Sequence, residues 1–269
     1  MSGGSSFEAL QGAGHGEDHD YTPGSPHLAH APLRDRISDD IRASIQATLA
    51  TKGSCRVLEV GAGHGTFSQI AANLGAQATI TEMSEASAAE LRRRFAGRPG
   101  ITVVHDHDGA QVFDLEPGFD LALYISVIHH IPDYLDHLSR VVDLLAPGAA
   151  MITYQDPTWY PRRHRRDHWG ERAAYLSWRV TQGNLLRGAT TTARRLRGVL
   201  DESNPSDMVE YHVVRHGVDQ DAIMALLTPR FDAVTLHTYW SSQGGVQHRL
   251  GQRLGLRNTF GILASGKHG

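Results

Sequence analysis

Two adjacent histidines, His129 and His130, follow the apolar run 119–128, and imidazole is the side chain best suited to taking a proton near neutral pH. Side chains able to share that work stand in the turn-rich segment Asp20-Tyr21-Thr22-Pro23-Gly24-Ser25-Pro26-His27. Three acids complete the set. Glu59 lies inside a run that otherwise reads as a buried strand, Glu82 closes Thr79-Ile80-Thr81, and Asp106 follows Val103-Val104-His105. A carboxylate at a strand's end can accept hydrogen bonds from a ligand's hydroxyl or amino groups, whereas a buried one such as Glu59 requires partners of its own.

The element that positions these groups is Val57-Leu58-Glu59-Val60-Gly61-Ala62-Gly63-His64-Gly65-Thr66-Phe67-Ser68, an apolar strand entering a glycine-rich turn that opens a helix. Gly61, Gly63 and Gly65 let the backbone bend sharply and let a ligand approach where a Cβ would clash, with helix N–H groups facing the bend. Such a turn holds a nucleotide-like ligand at the strand's carboxyl end. A dinucleotide fingerprint, G-x-G-x-x-G, would need glycine or alanine where Thr66 stands.

An acidic residue followed by G-x-G-x-G resembles the first motif of the class I S-adenosylmethionine-dependent methyltransferases. The likeness extends over 53–157 and, in outline, 218–266. It implies that Glu59, Gly61, Ala62, Gly63, Gly65, Thr66 and Phe67 bind the cofactor. Glu82, 21 residues after Gly61, then accepts from the ribose hydroxyls, with Met83 beside it. Asp106, with Asp108 as the alternative register, accepts from the adenine amino group next to His107. Ile125, Ser126 and Val127 line the methionine arm, and His129, Tyr21 or His27 takes the acceptor's proton. The cofactor implied is S-adenosyl-L-methionine, leaving S-adenosyl-L-homocysteine, and the acceptor a small molecule, of specialised-metabolite type, methylated at oxygen or carbon. The family's rearrangement or cyclisation chemistry, and an RNA- or protein-directed methyltransferase or binding subunit, are the competing readings. The N-P-P-Y signature of amino-group methylation on nucleic acid is absent, Ile125-Ser126-Val127-Ile128 standing in its place, so DNA is not expected as a substrate.

The run His105-Asp106-His107-Asp108 is not expected to gather a metal, because neighbours in an extended segment point to opposite faces.

Alternation of apolar strands with helical periods predicts an α/β sheet of parallel strands with helices on both faces, and the resemblance implies a Rossmann-like doubly wound sheet of seven strands, the last antiparallel. The strands are expected at 55–60, 77–82, 101–105, 119–126, 149–155, 232–240 and 258–265, and helices at 33–51, 65–74, 85–96, 133–145 and 218–228. Residues 1–20, poor in apolar side chains, read as a disordered tail, and 21–52 as an N-terminal cap with its helix. Residues 53–157 read as the cofactor-binding core, 158–217 as a helical lid inserted after strand five, and 218–269 as the rest of the sheet. The lid carries Trp159, Tyr160, His164, His168, Trp169, Tyr175 and Trp178 among ten arginines in 158–200. Its aromatics could wall an apolar acceptor and some of Arg162, Arg163, Arg165 and Arg166 meet an anion. For most of these residues the expectation is a solvated arginine side and a buried aromatic side. Residues 241–257 are expected to be a polar loop, with Trp240 and His248 beside the pocket.

The 269 residues carry a formal net charge of −3, and all but Lys52 and Lys267 of the 26 basic residues are arginine, so no global polycation points to nucleic acid. The lone Cys55 forbids an intramolecular disulfide. With neither a secretory leader nor a run of about 18 apolar residues, the chain reads as cytoplasmic, without a membrane partner. A homodimer in which the N-terminal segment completes a neighbour's pocket is compatible with this reading.

Overall fold

A computed structural model describes residues 24–181 and 217–269. Tyr21, the tail 1–20 and much of the insertion lie outside the described residues. Seven strands form one sheet: β1 (Arg56–Val60), β2 (Gln77–Glu82), β3 (Ile101–His105), β4 (Phe119–Ile125), β5 (Leu145–Pro157), β6 (Phe231–Tyr239) and β7 (Thr259–Lys267), in the order β3-β2-β1-β4-β5-β7-β6. The first five pair in parallel, and β7 runs antiparallel to both neighbours. The helices are α1 (Pro26–Ala29), α2 (Ala31–Lys52), α3 (Ser68–Leu74), α4 (Glu85–Arg94), α5 (Tyr134–Asp143), α6 (Arg165–Thr181), α7 (Gln220–Leu227) and α8 (Gly245–Arg253).

Period-two alternation along β4 divides the core. Leu121 and Leu123 face a layer with Ile37, Ile41 and Ile45 of α2, Ala71 of α3 and Leu91 of α4. Ala122 and Tyr124 face Leu138, Val141 and Val142 of α5 with Ile223 and Leu227 of α7. Buried on both sides, β4 carries no exposed residue, as a central parallel strand requires. The four-residue spacing read at Leu33, Ile37, Ile41 and Ile45 is the buried stripe of α2. Gly53 ends that helix in the left-handed region, donating its N–H to Leu49 O at 2.9 Å.

Three expectations change. Helix α3 begins at Ser68 rather than 65, because Gly65 has φ +72°, which no helix accommodates. The Ala146-Pro147-Gly148 turn lies inside β5: Leu145 pairs with Phe119 and Ala150 with Leu121, so the intervening residues bulge out. Residues 241–257 are not a loop, since they contain α8. Its glycines argue against a helix by propensity, yet Gly251 is where α8 meets the Trp240 ring. A Cβ at 251 would stand 2.2 Å from Trp240 Nε1.

That contact fixes α8 on the sheet, with Trp240 donating to Gln247 O at 3.2 Å. Gly251→Ala is expected to destabilise the chain by about 1–3 kcal/mol through overpacking, read as a lowered thermal midpoint. An unchanged midpoint would show that α8 is not seated by this ring.

Candidate active site

A cavity of about 700 Å³ opens at the carboxyl ends of β1, β2, β3 and β4, within the range of small-molecule sites. It lies where a parallel sheet presents its loops, on either side of the first strand to reverse the strand order. The short α1 covers it, contributing Ser25, His27 and Leu28.

The glycine turn forms one wall. Gly61 has φ +66°, and a Cβ there would meet Val127 Cγ2 at 2.8 Å. Gly63 has φ +54° and open space where its Cβ would be, on the cavity side. Two bonds to Thr81 O, from Gly61 N at 2.9 Å and Ala62 N at 3.3 Å, tie the turn to β2. Ala62, Thr66 and Phe67 also line the cavity, whereas Gly65 backs onto Leu91 of α4 and Phe95 just beyond its end, where a Cβ would clash at 2.7 and 2.9 Å.

Each carboxylate is held by backbone or hydroxyl donors. Glu59, buried in the floor, accepts from Ser68 Oγ. Burial pushes its carboxyl up to about 7, and the nearby Glu82 charge adds to the rise. Glu82 accepts from Gly63 N at 2.9 Å and Ser84 N at 3.0 Å. Asp106 accepts from Gln111 N at 2.9 Å and Val112 N at 3.2 Å, fixing the loop after β3. Burial raises the carboxyl of both Glu82 and Asp106. Met83, His107 and Asp108 border the same wall. Among the described residues no group of three or more histidine, cysteine or acidic side chains is arranged to hold a metal.

These features fit the cofactor that the sequence resemblance implies. A glycine cradle open at Gly63, a preset acceptor at Glu82 and a half-neutral Glu59 suit a ligand with a diol, an ammonium and a sulfonium. Apolar Ile125 and Val127 with Ser126 complete that end.

Of the two histidines, the sequence expectation named His129 as the proton acceptor, but it is His130 that faces the cavity. His130 lines the cavity together with Ile131 and Pro132. His129 stands behind it, ring centroids 4.0 Å apart, with Nδ1 2.8 Å from Asp156 Oδ1 and its backbone N–H donating to the same oxygen at 3.1 Å. Asp156 is fully buried, and burial raises its carboxyl against the lowering effect of His129. It reaches His129 because β5 bulges at Gln155, whose φ is +69°. Overhead, His27 is buried against Phe67, 6.2 Å between centroids. Burial, then the charge of His129, hold its imidazole down at about 4, so it is neutral at pH 7. Sequence reasoning passed over Asp156. The available signal was an acid closing a strand, the same one that marked Glu82 and Asp106.

No residue of 158–181 lines the cavity. Arg163 is buried and spent on Thr158 Oγ1, Thr158 O, Asn258 O and Glu171. Arg162 pairs with Asp221 at 2.5 Å and Asp219 at 3.3 Å, and Arg166 donates to Gly255 O at 3.1 Å. Trp169 points outward with the arginines rather than inward, because the buried face of α6 is made of Asp167, Gly170 and Ala174. Trp240 and His248 are buried away from the cavity, His248 stacking on His30 at 3.9 Å.

Strand order, the antiparallel β7 and the glycine turn over β1 together define the class I methyltransferase fold. Residues 58–151 match the family described as a methyltransferase domain. Over 131 residues the chain is 29% identical to a ubiquinone biosynthesis O-methyltransferase of Ruegeria pomeroyi, covering 47% of this chain and 52% of that one. The chain thus spans about half the length of the curated relatives it matches. The N-methyltransferase NodS of Bradyrhizobium japonicum, solved with S-adenosylhomocysteine, superposes with a TM-score of 0.53 at 13% identity, over 97% of this chain and 98% of that one. The plantazolicin methyltransferase BamL superposes with a TM-score of 0.50 at 10% identity, over 98% of each chain. Both likenesses are of fold.

The ionisation of Glu59 has a definite sign. Its folded value near 7 lies above the ordinary 4.5, so between these pH values the folded chain binds more protons than the unfolded one. Stability from this group is full below about pH 4.5 and falls as pH rises towards 7. Glu59→Gln should remove that slope and raise stability at pH 8 by on the order of 2–3 kcal/mol. Thermal midpoints of both proteins from pH 5 to 8, without ligand, check it, and parallel curves would refute it.

Proposed function

We propose that the chain is an S-adenosylmethionine-dependent methyltransferase that methylates an oxygen of a small, largely apolar acceptor. The observation that carries this reading is the one cavity lined by the glycine turn, Glu82, Asp106 and His130, with the His129–Asp156 pair packed behind His130. The methyltransferase-domain match supports the reaction class, and the O-methyltransferase names of the curated relatives favour oxygen over carbon. An acceptor from specialised metabolism is the finer reading.

The cofactor, when bound, supplies an electrophilic methyl on a good leaving group, so the protein's tasks are alignment, exclusion of water and removal of one proton. Gly61, Gly63 and Glu82 hold and orient it; Ile125 and Val127 keep the reacting end dry. Asp156 fixes the His129 ring through Nδ1, and that ring packs against His130 on the cavity wall, giving the pair its own orienting group. His130 and His27 flank the acceptor's side, and His27, neutral at pH 7, adds no charge to repel the cofactor's sulfonium. The proton of the acceptor's hydroxyl would pass to this imidazole pair, His130 on the cavity wall and His129 behind it.

Calorimetry with S-adenosylhomocysteine is expected to show binding that is lost in Gly63→Asp, where a carboxylate would enter the cradle beside Glu82, and weakened at least tenfold in Glu82→Ala. No binding to the intact chain would remove the reading. With methyl-labelled donor and a panel of phenols, catechols and hydroxy acids, His129→Ala should lower turnover by about 10²–10⁴-fold at unchanged cofactor affinity. Unchanged turnover would take His129 out of the mechanism.

A further inference from the structure

Helices α6 and α8 lie against each other, Gln247 Nε2 donating to Ser177 Oγ at 2.6 Å. At 3.6 residues per turn, Trp169, Ala173, Leu176 and Val180 fall on one outward stripe of α6, next to the Ser177 edge where α8 sits. Val246, Leu250 and the following Leu254 form the matching stripe of α8. The six large side chains among these are 55–67% exposed. Arginines flank them on both outer sides: Arg165, Arg172 and Arg179, seven residues apart on α6, and Arg249 and Arg253 on α8, with Arg257 beyond. Arg172 lies over the Trp169 ring and Arg179 over Tyr175. Among the described residues of the two helices no exposed carboxylate stands beside them: α8 has none, Asp167 is buried, and Glu171 is turned to Arg163 and Asn258.

An apolar centre between two basic edges, with an outward tryptophan, is the pattern of a face that settles into the boundary of an anionic membrane. We propose that the joined outer faces of α6 and α8 dock the chain peripherally on an anionic lipid bilayer. Charge complementarity selects this occupant. A second copy seated face to face would oppose arginine to arginine with no acid between. A nucleic acid would stack on Trp169 and pair with the arginines but gain nothing from Leu176, Val180, Val246, Leu250 and Leu254. A bilayer uses both, headgroup phosphates meeting the arginines and the acyl boundary receiving the apolar side chains. Among the described residues no helix is long and apolar enough to cross a membrane. The sequence expectation of no membrane partner rested on a spanning run, a signal that an in-plane face does not give. The proposal is independent of the methyl-transfer reading.

Flotation of the full chain with vesicles of phosphatidylcholine, alone or mixed equally with phosphatidylglycerol, tests it. Binding to the mixed vesicles only, weakened by added salt and accompanied by a blue shift in emission absent from Trp169→Phe, is the expected result. Arg172→Gln with Arg253→Gln should lower the partition coefficient roughly twenty-five-fold, at about five-fold per arginine. Leu176→Ser with Leu250→Ser should abolish the blue shift of the remaining bound fraction. Circular dichroism and S-adenosylhomocysteine titration report whether these surface variants are folded. Absence of binding to the mixed vesicles, or equal binding by folded variants, overturns the proposal. So does a concentration-dependent dimer that the leucine variants dissolve, or binding of a random RNA oligomer without binding of vesicles.

Discussion

Every wall of the cavity depends on one close approach, the glycine turn of β1 against the end of β4. Gly61 presents a bare Cα to Val127, and the two strands are neighbours in the sheet, so a side chain at 61 would drive them apart where the cofactor's reacting end belongs. The same turn donates to Thr81 O and, through Gly63 N, to Glu82. The ends of β1, β2 and β4 are therefore gathered by contacts a few ångströms apart. Glycine at 61 is required by space as well as by backbone angle, and at 65 by the packing of α4 behind the turn. Gly61 and Gly63 both line the cavity, and of the three turn glycines only Gly63 has open space where its Cβ would be.

The opposite rim is shaped by backbone strain. Among the described residues only Ser126 and Gln155 have positive φ without being glycine, at +64° and +69°. They sit at the ends of neighbouring strands, joined by Ser126 N donating to Tyr154 O at 2.7 Å. Left-handed residues of this kind cost about 1–2 kcal/mol each and persist where surroundings over-determine them. Gln155 is held by its N–H to Tyr239 Oη at 2.9 Å and by Nε2 to Ser241 Oγ at 2.8 Å. What the strain achieves is direction: it turns Val127 onto Gly61 and brings Asp156 under His129.

The sheet, its order and the cofactor wall were legible because they depend on local signals: apolar runs of strand length, glycines at fixed spacing, acids closing strands. The histidine arrangement was less so. Which of His129 and His130 faces the cavity is decided by a three-residue 3-10 turn, Ile128–His130, and by a partner 27 residues away, neither visible in a run of letters. The place of Trp169 differs from the expected buried aromatic side for a related reason. Aromatic residues on a helix are ordinarily its buried side, but α6 packs through Gly170 and Ala174 onto Leu256 and Trp240, which leaves Trp169 outside. Helix α8 was hidden by its glycines, whose unfavourable propensity is outweighed by the room they make for Trp240.

Cavity cover and outer helices are joined through a pair of imidazoles. His30 ends α1 and begins α2, its Nε2 lies 2.7 Å from Ser242 O, and its ring stacks on His248 of α8. Burial, then the charge of His30, hold the His248 ring down at about 4, so that member of the stack is uncharged at neutral pH and the two rings meet without mutual repulsion. Helix α1 supplies His27 and Leu28 to the roof of the cavity, and four residues are too few to hold a position by their own hydrogen bonds. Its place is set by α2 behind it and by this contact with α8 beside it. The roof over the reacting centre is accordingly anchored to the same helix that carries half of the outward apolar face.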